Sequence, residues 1–197
     1  MKFLLYGHNG WIGNQLKNLI ENPVLGISRL ENFEDLEKEI IKIQPDRIIT
    51  TTGRTYGTNC NSIDYLEDKL DINIRDNLLG PLNLCKICEK YNIHLTYLGT
   101  GCIFNTDNPI SKQYNEDDKP NFFGSQYSIV KGTVDSYFHN CNILNIRIRM
   151  PINSENNPRN FITKIINYEK IYSNYNSMTV LPDLLPILID LSKNKYL

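Results

Sequence analysis

The chain has 197 residues, 41% of them hydrophobic and 22% charged, with 21 Lys and Arg against 22 Asp and Glu for a formal net charge of −1. That balance is expected of one soluble globular domain with a substantial core, and it excludes strong attraction to nucleic acid or to a membrane surface. No apolar run reaches the roughly 20 residues of a membrane span, the N-terminal run is too short for a signal peptide, and five scattered cysteines fit a reduced, cytoplasmic setting better than a disulfide framework.

In chain order, KFLLY (2–6) reads as a short strand and WIGNQLKNLIEN (11–22) as an amphipathic helix that starts just after glycines. PVLGIS (23–28) is a second strand, FEDLEKEIIKIQ (33–44) a second helix and RIITTT (47–52) a third strand. After the polar loop TYGTNCNS comes a long helical stretch over 65–91, expected to break near Gly80-Pro81 because proline lacks the N–H that a helix needs. IHLTYLG (93–99) is a fourth strand, YSIVKGTVDSYFHN (127–140) a helix and NILNIRIRM (142–150) a fifth strand. Beyond Pro151, helices are expected around NFITKIINYEK (160–170) and over LPDLLPILIDLSKN (181–194). Strands separated by helices of this length predict βαβ units, hence an α/β fold with a Rossmann-type, doubly wound parallel sheet. In such sheets ligands sit beyond the carboxyl ends of the strands, which gives extra weight to the first glycine loop, TTTGRT, LGTGC and RIRMP.

Cys85 and Cys88 form a CxxC, but inside the helical period of LLGPLNLCKICEKYN and with no second pair at metal-ligand spacing. Packing on a helix face explains them, and His8, His94 and His139 are far apart in sequence; no metal site is expected.

Gly7, Gly10 and Gly13 fall in YGHNGWIGNQL, between the first strand and the first helix. Glycines there permit a tight turn, close approach of the backbone to a pyrophosphate and close helix–strand packing, while the helix N-terminus offers free N–H groups. Trp11 and Ile12, between the last two glycines, complete the expected cofactor loop. The second strand runs into GISRL, so Arg29 stands where an adenosine ribose would lie. An arginine there pairs with a 2′-phosphate, which favours NADPH over NADH.

GSQYSIVKG places Tyr127 and Lys131 four residues apart, on one helix face. A lysine ammonium beside a phenol is expected to lower its pKa, and Thr100 at the end of the fourth strand can offer a hydroxyl to the same carbonyl oxygen. A YxxxK pair alone arises often by chance. Following a glycine loop and a strand-end Thr, it describes a carbonyl-reduction site in which hydride reaches carbon and Tyr127 protonates oxygen.

With those residues in view, the chain resembles the extended short-chain dehydrogenase/reductases. More narrowly, it is similar to the UDP-4-keto-6-deoxyglucose 3,5-epimerase/4-reductases of UDP-rhamnose synthesis. The stretches that carry the likeness are GHNGWIG, TGCIF, PNFFGSQYSIVK, RIRMPI, NPRNFITKIINYEK and NSMTVLPDLLPI. The resemblance implies that Thr100, Tyr127 and Lys131 are the reductase triad, that Gly7, Gly10 and Gly13 hold the cofactor, and that Asn77 in NIRDNLLG supports the site. It also implies that Cys102 and Lys164 serve epimerisation. In an extended segment Cys102 would share a face with Thr100, and a thiolate can remove protons that a 4-keto group acidifies. Lys164, read without the family, is a solvated residue of FITKIINYEK.

The implied organisation is an NADP-binding Rossmann domain over 1–150 and a partial substrate-binding segment over 151–197, interwoven with it and truncated relative to the family. The implied substrate is UDP-4-keto-6-deoxyglucose and the implied assembly a homodimer. The third strand departs from the family, reading TTTG rather than an Asn-Ala-Ala-Gly type of sequence. Two alternatives remain open: a reductase-only relative of the dTDP-4-dehydrorhamnose reductase type, and a truncated, non-catalytic dinucleotide-binding module.

Overall fold

The computed structural model describes residues 1–105, 113–171 and 176–194. Its elements are β1 (Phe3–Tyr6), α1 (Trp11–Leu19), β2 (Val24–Leu25), α2 (Phe33–Ile43), β3 (Arg47–Thr50), α3 (Leu70–Ile74), α4 (Gly80–Lys90), β4 (His94–Thr100), α5 (Gln126–Phe138), β5 (Ile143–Ile148), α6 (Phe161–Ile165) and α7 (Leu181–Asn194), with a short 3-10 turn over Ile63–Leu66. The five strands form one sheet of order β2-β1-β3-β4-β5. Every pairing is parallel, so this is the doubly wound α/β architecture the alternating pattern predicts. The winding reverses between β1 and β3, and the crevice at that reversal is where such sheets take ligands.

Strand alternation sorts the core into two layers. Leu4, Tyr6, Ile48, Leu95 and Tyr97 face a cluster completed by Leu36 and Ile40 of α2, Leu84 and Ile87 of α4 and Val134 and Phe138 of α5. Phe3, Leu5, Ile49 and Leu98 face the other cluster, completed by Leu16 of α1 and by Leu181, Leu185, Leu188 and Ile189 of α7. α7, beyond residue 150, is therefore built into the same core as the rest. Ile152 pairs with Val180 in a parallel bridge, and Arg47 Nε and Nη2 donate to the carbonyls of Ser192 and Lys193 at 2.8 and 3.0 Å, capping the end of α7.

Several elements are shorter than expected, α1 (Trp11–Leu19), β3 (Arg47–Thr50) and α6 (Phe161–Ile165) among them, and two differences have a clear local cause. β2 is only two residues long, because the chain leaves the sheet straight after Gly26 donates to Leu5 O. The next two N–H groups, of Ile27 and Ser28, donate instead to the Glu39 carboxylate at 2.8 and 3.0 Å. Burial works against that carboxylate, but these bonds hold it below the ordinary range. The break expected at Gly80-Pro81 is absent: helix runs from Leu70 to Lys90 through a π turn over Arg75–Leu79. Gly80 N–H donates to Arg75 O, five residues back, and this widened turn accommodates the proline that follows it. Among the described residues no helix is long and apolar enough to cross a membrane.

Candidate active site

A cleft of about 730 Å³ opens beyond the carboxyl ends of the strands, and every candidate residue named from the sequence lines it. At one end lies the glycine loop. Gly7 has φ 81°, a left-handed conformation that disfavours any side chain. A Cβ on Gly13 would stand 2.0 Å from Gly7 O, so only glycine lets α1 start this close to the strand. The TTTG departure finds its role here, since Thr51 Oγ1 donates to the carbonyls of Tyr6 and Gly7 at 3.3 and 3.2 Å and pins the loop to β3. Gly10 caps α1 without a side-chain bond, and no acidic residue occupies its first turn, so the positive end of the helix is open to an anion. Trp11 and Ile12 pack partly against the cluster around Leu5 and Leu16, and Trp11 Nε1 donates to Glu155 at 2.7 Å, tying the loop to the C-terminal segment.

Arg29 lies at the rim, largely exposed, 3.5 Å from Glu31. It is one of seven cationic side chains in the lining, with Arg54, Arg75, Lys131, Arg149, Arg159 and Lys164, against two carboxylates, Glu31 and Asp76. Burial opposes ionisation of Asp76, but hydrogen bonds from Arg75 and Arg54 hold its carboxyl below the usual range. Asn77 sits in the π turn, fully engaged: it accepts from Arg54 N at 2.7 Å and donates to Arg54 O and Asn73 Oδ1, both at 2.9 Å. It thereby fixes the loop after β3 along one wall of the cleft.

At the other end, α5 presents Tyr127 and Lys131, both buried. Ser125 caps α5 and bonds the Ser128 hydroxyl, which donates to Cys102 O at 2.6 Å, so the helix is locked to the turn after β4. Lys131 does not act on Tyr127 as expected. Its Nζ donates instead to the buried hydroxyl of Tyr97 on β4 and to Leu98 O at 3.5 Å. Burial pushes the Lys131 amine down to about 7. Tyr127 is pushed up by burial and by the Cys102 thiol, opposed only by a hydrogen bond with Thr100, and so stays protonated at neutral pH.

The extended geometry assumed for TGC also needs correcting. β4 ends at Thr100, and the chain turns over 101–103. Cys102 N–H donates to Thr100 Oγ1 at 3.1 Å, and the half-buried Cys102 still lines the cleft with Thr100. Lys164, on α6, lines it as well and donates to Asn61 O at 2.8 Å. Burial and the charge of Arg159 lower the Lys164 amine below its ordinary value.

Two neighbours were not singled out in the sequence. Tyr97 reads there as one more apolar strand residue, and only its hydroxyl opposite Lys131 distinguishes it. Arg149 follows β5 and reads as alternation in RIRM. In the structure its Nη1 lies 3.8 Å from Cys102 Sγ and 3.2 Å from Gly101 O, while Nε donates to Asn176 Oδ1 at 2.6 Å. Met150 beside it takes φ 42° immediately before Pro151, a strained conformation in the cleft wall.

Cys85 and Cys88 are buried on α4 and do not line the cleft. Burial pushes both thiols up.

A parallel sheet wound in two directions, with an open helix N-terminus at the reversal and a Thr–Tyr–Lys set beyond the next strand, defines a reductase-type dinucleotide fold. The sequence matches the model of the RmlD substrate binding domain over residues 1–183, and the chain belongs to that family. It is 51% identical, over 206 residues, to uncharacterized protein L780 of Acanthamoeba polyphaga mimivirus, covering 99% of this chain and 71% of that one. A crystal structure of the L780 UDP-rhamnose synthase from the same virus superposes with a TM-score of 0.93 at 50% identity, over 99% of this chain and 72% of that one. An Arabidopsis thaliana trifunctional UDP-glucose 4,6-dehydratase/UDP-4-keto-6-deoxy-D-glucose 3,5-epimerase/UDP-4-keto-L-rhamnose-reductase is 40% identical over 98% of this chain, which spans 30% of that enzyme. A dTDP-4-dehydrorhamnose reductase from Bacillus anthracis, solved with NADP, shares the fold at a TM-score of 0.81 and 20% identity, over 98% of this chain and 71% of that one.

Proposed function

We propose that the chain is an NADPH-dependent enzyme acting on a nucleotide-linked 4-keto-6-deoxysugar, with UDP-4-keto-6-deoxyglucose as substrate, and that it both epimerises C3 and C5 and reduces C4. One observation carries this reading: Thr100, Tyr127, Cys102 and Lys164 line the same cleft as the glycine loop. The names of the L780 and Arabidopsis relatives support the substrate class.

The residues present fit NADP(H). The uncapped N-terminus of α1 suits a pyrophosphate, and Arg29 at the rim suits a 2′-phosphate. His8 Nδ1, buried in the glycine loop without a hydrogen-bond partner, is a polar atom that a ligand in the cleft can satisfy. When bound, the cofactor supplies a hydride.

The chain's own residues do the rest. Tyr127, kept protonated by burial, gives its proton to the C4 oxygen, and the Thr100 hydroxyl holds that oxygen. For epimerisation, Cys102 as thiolate takes the acidified proton from C3 or C5, with Arg149 as its counter-charge. Lys164 returns a proton to the opposite face, while Thr100 and Tyr127 hold the enolate oxygen. The segment over 151–197 forms part of the substrate side through Arg159 and Lys164. Five free cysteines suit a reducing compartment such as the cytoplasm.

The test is to incubate the chain with UDP-4-keto-6-deoxyglucose, follow loss of reduced-nicotinamide absorbance, and separately follow deuterium uptake at C3 and C5 in heavy water without NADPH. Both are expected. One observation favours a second reading, reduction alone: the Lys164 amine is already engaged by Asn61 O. NADPH turnover of a pre-epimerised substrate without isotope exchange would establish that reading. Absence of both signals would sink both.

A further inference from the structure

Away from the cleft, Cys85 and Glu89 stand four residues apart on one face of α4, and Cys141 follows α5 in the turn that leads to β5. The two Sγ atoms and a Glu89 carboxylate oxygen all lie within 4.8 Å of one another. Cys85 is buried, Cys141 half-buried and Glu89 exposed, so the group is closed on the core side and open on the solvent side. Sequence spacing hides it, since Cys88, the partner of Cys85 in the CxxC, faces the core and contributes nothing.

These three groups are all of the acid type, and no cation of the chain is bonded to them among the described residues. The neighbouring lysines are engaged elsewhere: Lys86 lies over the Phe33 ring at 5.4 Å, and Lys90 pairs with Glu37 at 2.8 Å.

We propose that Cys85, Glu89 and Cys141 form a binding site for a thiophilic divalent cation of the Zn²⁺ class, clamping α4 to the turn after α5. Two thiolates and a carboxylate match the softness that such ions prefer. With Zn–S near 2.3 Å and Zn–O near 2.0–2.2 Å, tetrahedral ligand atoms stand roughly 3.5–3.8 Å apart. Side-chain adjustments of at most about an ångström, available to the exposed Glu89 and the half-buried Cys141, bring the three atoms to that spacing. The fourth position goes to water. On binding, each thiol loses its proton as its sulfur–metal bond forms, so one cation takes two sulfurs and releases two protons.

The experiment uses the full chain, stripped with a chelator and kept reduced by a phosphine. Cd²⁺ titration is followed by sulfur-to-metal charge-transfer absorption, Zn²⁺ by equilibrium dialysis, and released protons by a pH indicator. One cation per chain and about two protons per cation are expected, with a higher Tm when Zn²⁺ is present. Cys141→Ser is expected to weaken binding at least about tenfold and to remove the Zn²⁺ effect on Tm, with Glu89→Gln weakening it less and Cys60→Ser leaving it unchanged. No charge-transfer band, no proton release, or binding that survives Cys141→Ser but is lost in Cys102→Ser would overturn the proposal. Proton release and Glu89→Gln keep it testable if Cys141→Ser fails to fold.

Discussion

The two ends of the cleft are built in different ways. The glycine end is made of backbone: a left-handed Gly7, a Gly13 whose Cβ has no room, and a Thr51 hydroxyl holding two carbonyls from behind. The carbonyl end is made of side chains delivered by the termini of four elements, β4, α5, β5 and α6. A backbone-built end tolerates almost no substitution but has no reactive group of its own. A side-chain end can be altered one group at a time, which lets its separate chemical steps be taken apart.

The largest effects should come from the side-chain end. Tyr127→Phe removes the proposed proton donor and keeps the ring, so NADPH oxidation with a pre-epimerised sugar should fall by about 10²–10⁴-fold while deuterium uptake persists. Cys102→Ser should do the reverse, lowering exchange by a similar factor. Equal loss of both activities in either variant would mean that the two steps share one group, and the separation drawn at this end would be wrong.

Lys131, on α5 at the same end as Tyr127, should also affect stability. Its amine titrates near 7 when folded and near its ordinary 10.5 when unfolded. Between those values the unfolded chain carries a proton that the folded one lacks, so stability rises with pH across the window, by about 1.4 kcal/mol per unit at most. Below about pH 7 both forms are charged and the full penalty of burying the ammonium applies. Lys131→Met lacks that pH dependence, so the stability of wild type relative to variant, read by urea denaturation, should rise from pH 6.5 to 9.5. Other groups, such as the buried thiols Cys85 and Cys88, cancel in the same difference. A constant difference would place the amine in water rather than against Tyr97.

At the glycine end, Gly13→Ala puts a methyl against Gly7 O, and the helix start must shift away from the strand. A loss of about 1–3 kcal/mol in stability is expected. It should come with weaker NADPH binding, read by quenching of Trp11 fluorescence, while Gly10→Ala, with its nearest contact at 3.2 Å, should cost less. If both substitutions cost the same, packing at Gly13 is not what sets this end.

The glycine end was legible in the sequence because its requirement is steric: only one residue type fits, and it recurs at fixed spacing before a helix. The sheet was legible for a similar reason, since alternation along KFLLY and RIITTT already sorts Leu4 from Leu5 and Ile48 from Ile49 into opposite layers. The carbonyl end was legible only as an ordered set. Thr100, Tyr127 and Lys131 could be named from order and spacing, but Lys131's bond to Tyr97 could not, because a buried strand tyrosine looks like any other core residue until its hydroxyl's partner is seen. The turn after Thr100 was missed because TGCIF carries no proline or asparagine to announce it, and the π turn because Gly80-Pro81 marks a disturbance without saying on which side it falls.

Arg149 offers the smallest and most discriminating test of the comparison. Its guanidinium is held by Gly101 O and by Asn176, and it reaches Cys102 Sγ without touching Tyr127. If the carbonyl end consists of separable groups, Arg149→Gln should slow deuterium exchange by about tenfold, the scale of one charge-assisted hydrogen bond, and leave reduction of a pre-epimerised substrate unchanged. Arg149→Lys, which keeps the charge but loses the planar fork, should recover part of the exchange rate. Exchange that stays at the wild-type rate in Arg149→Gln would make Arg149 a strut for the turn after Thr100 rather than a partner of the Cys102 sulfur.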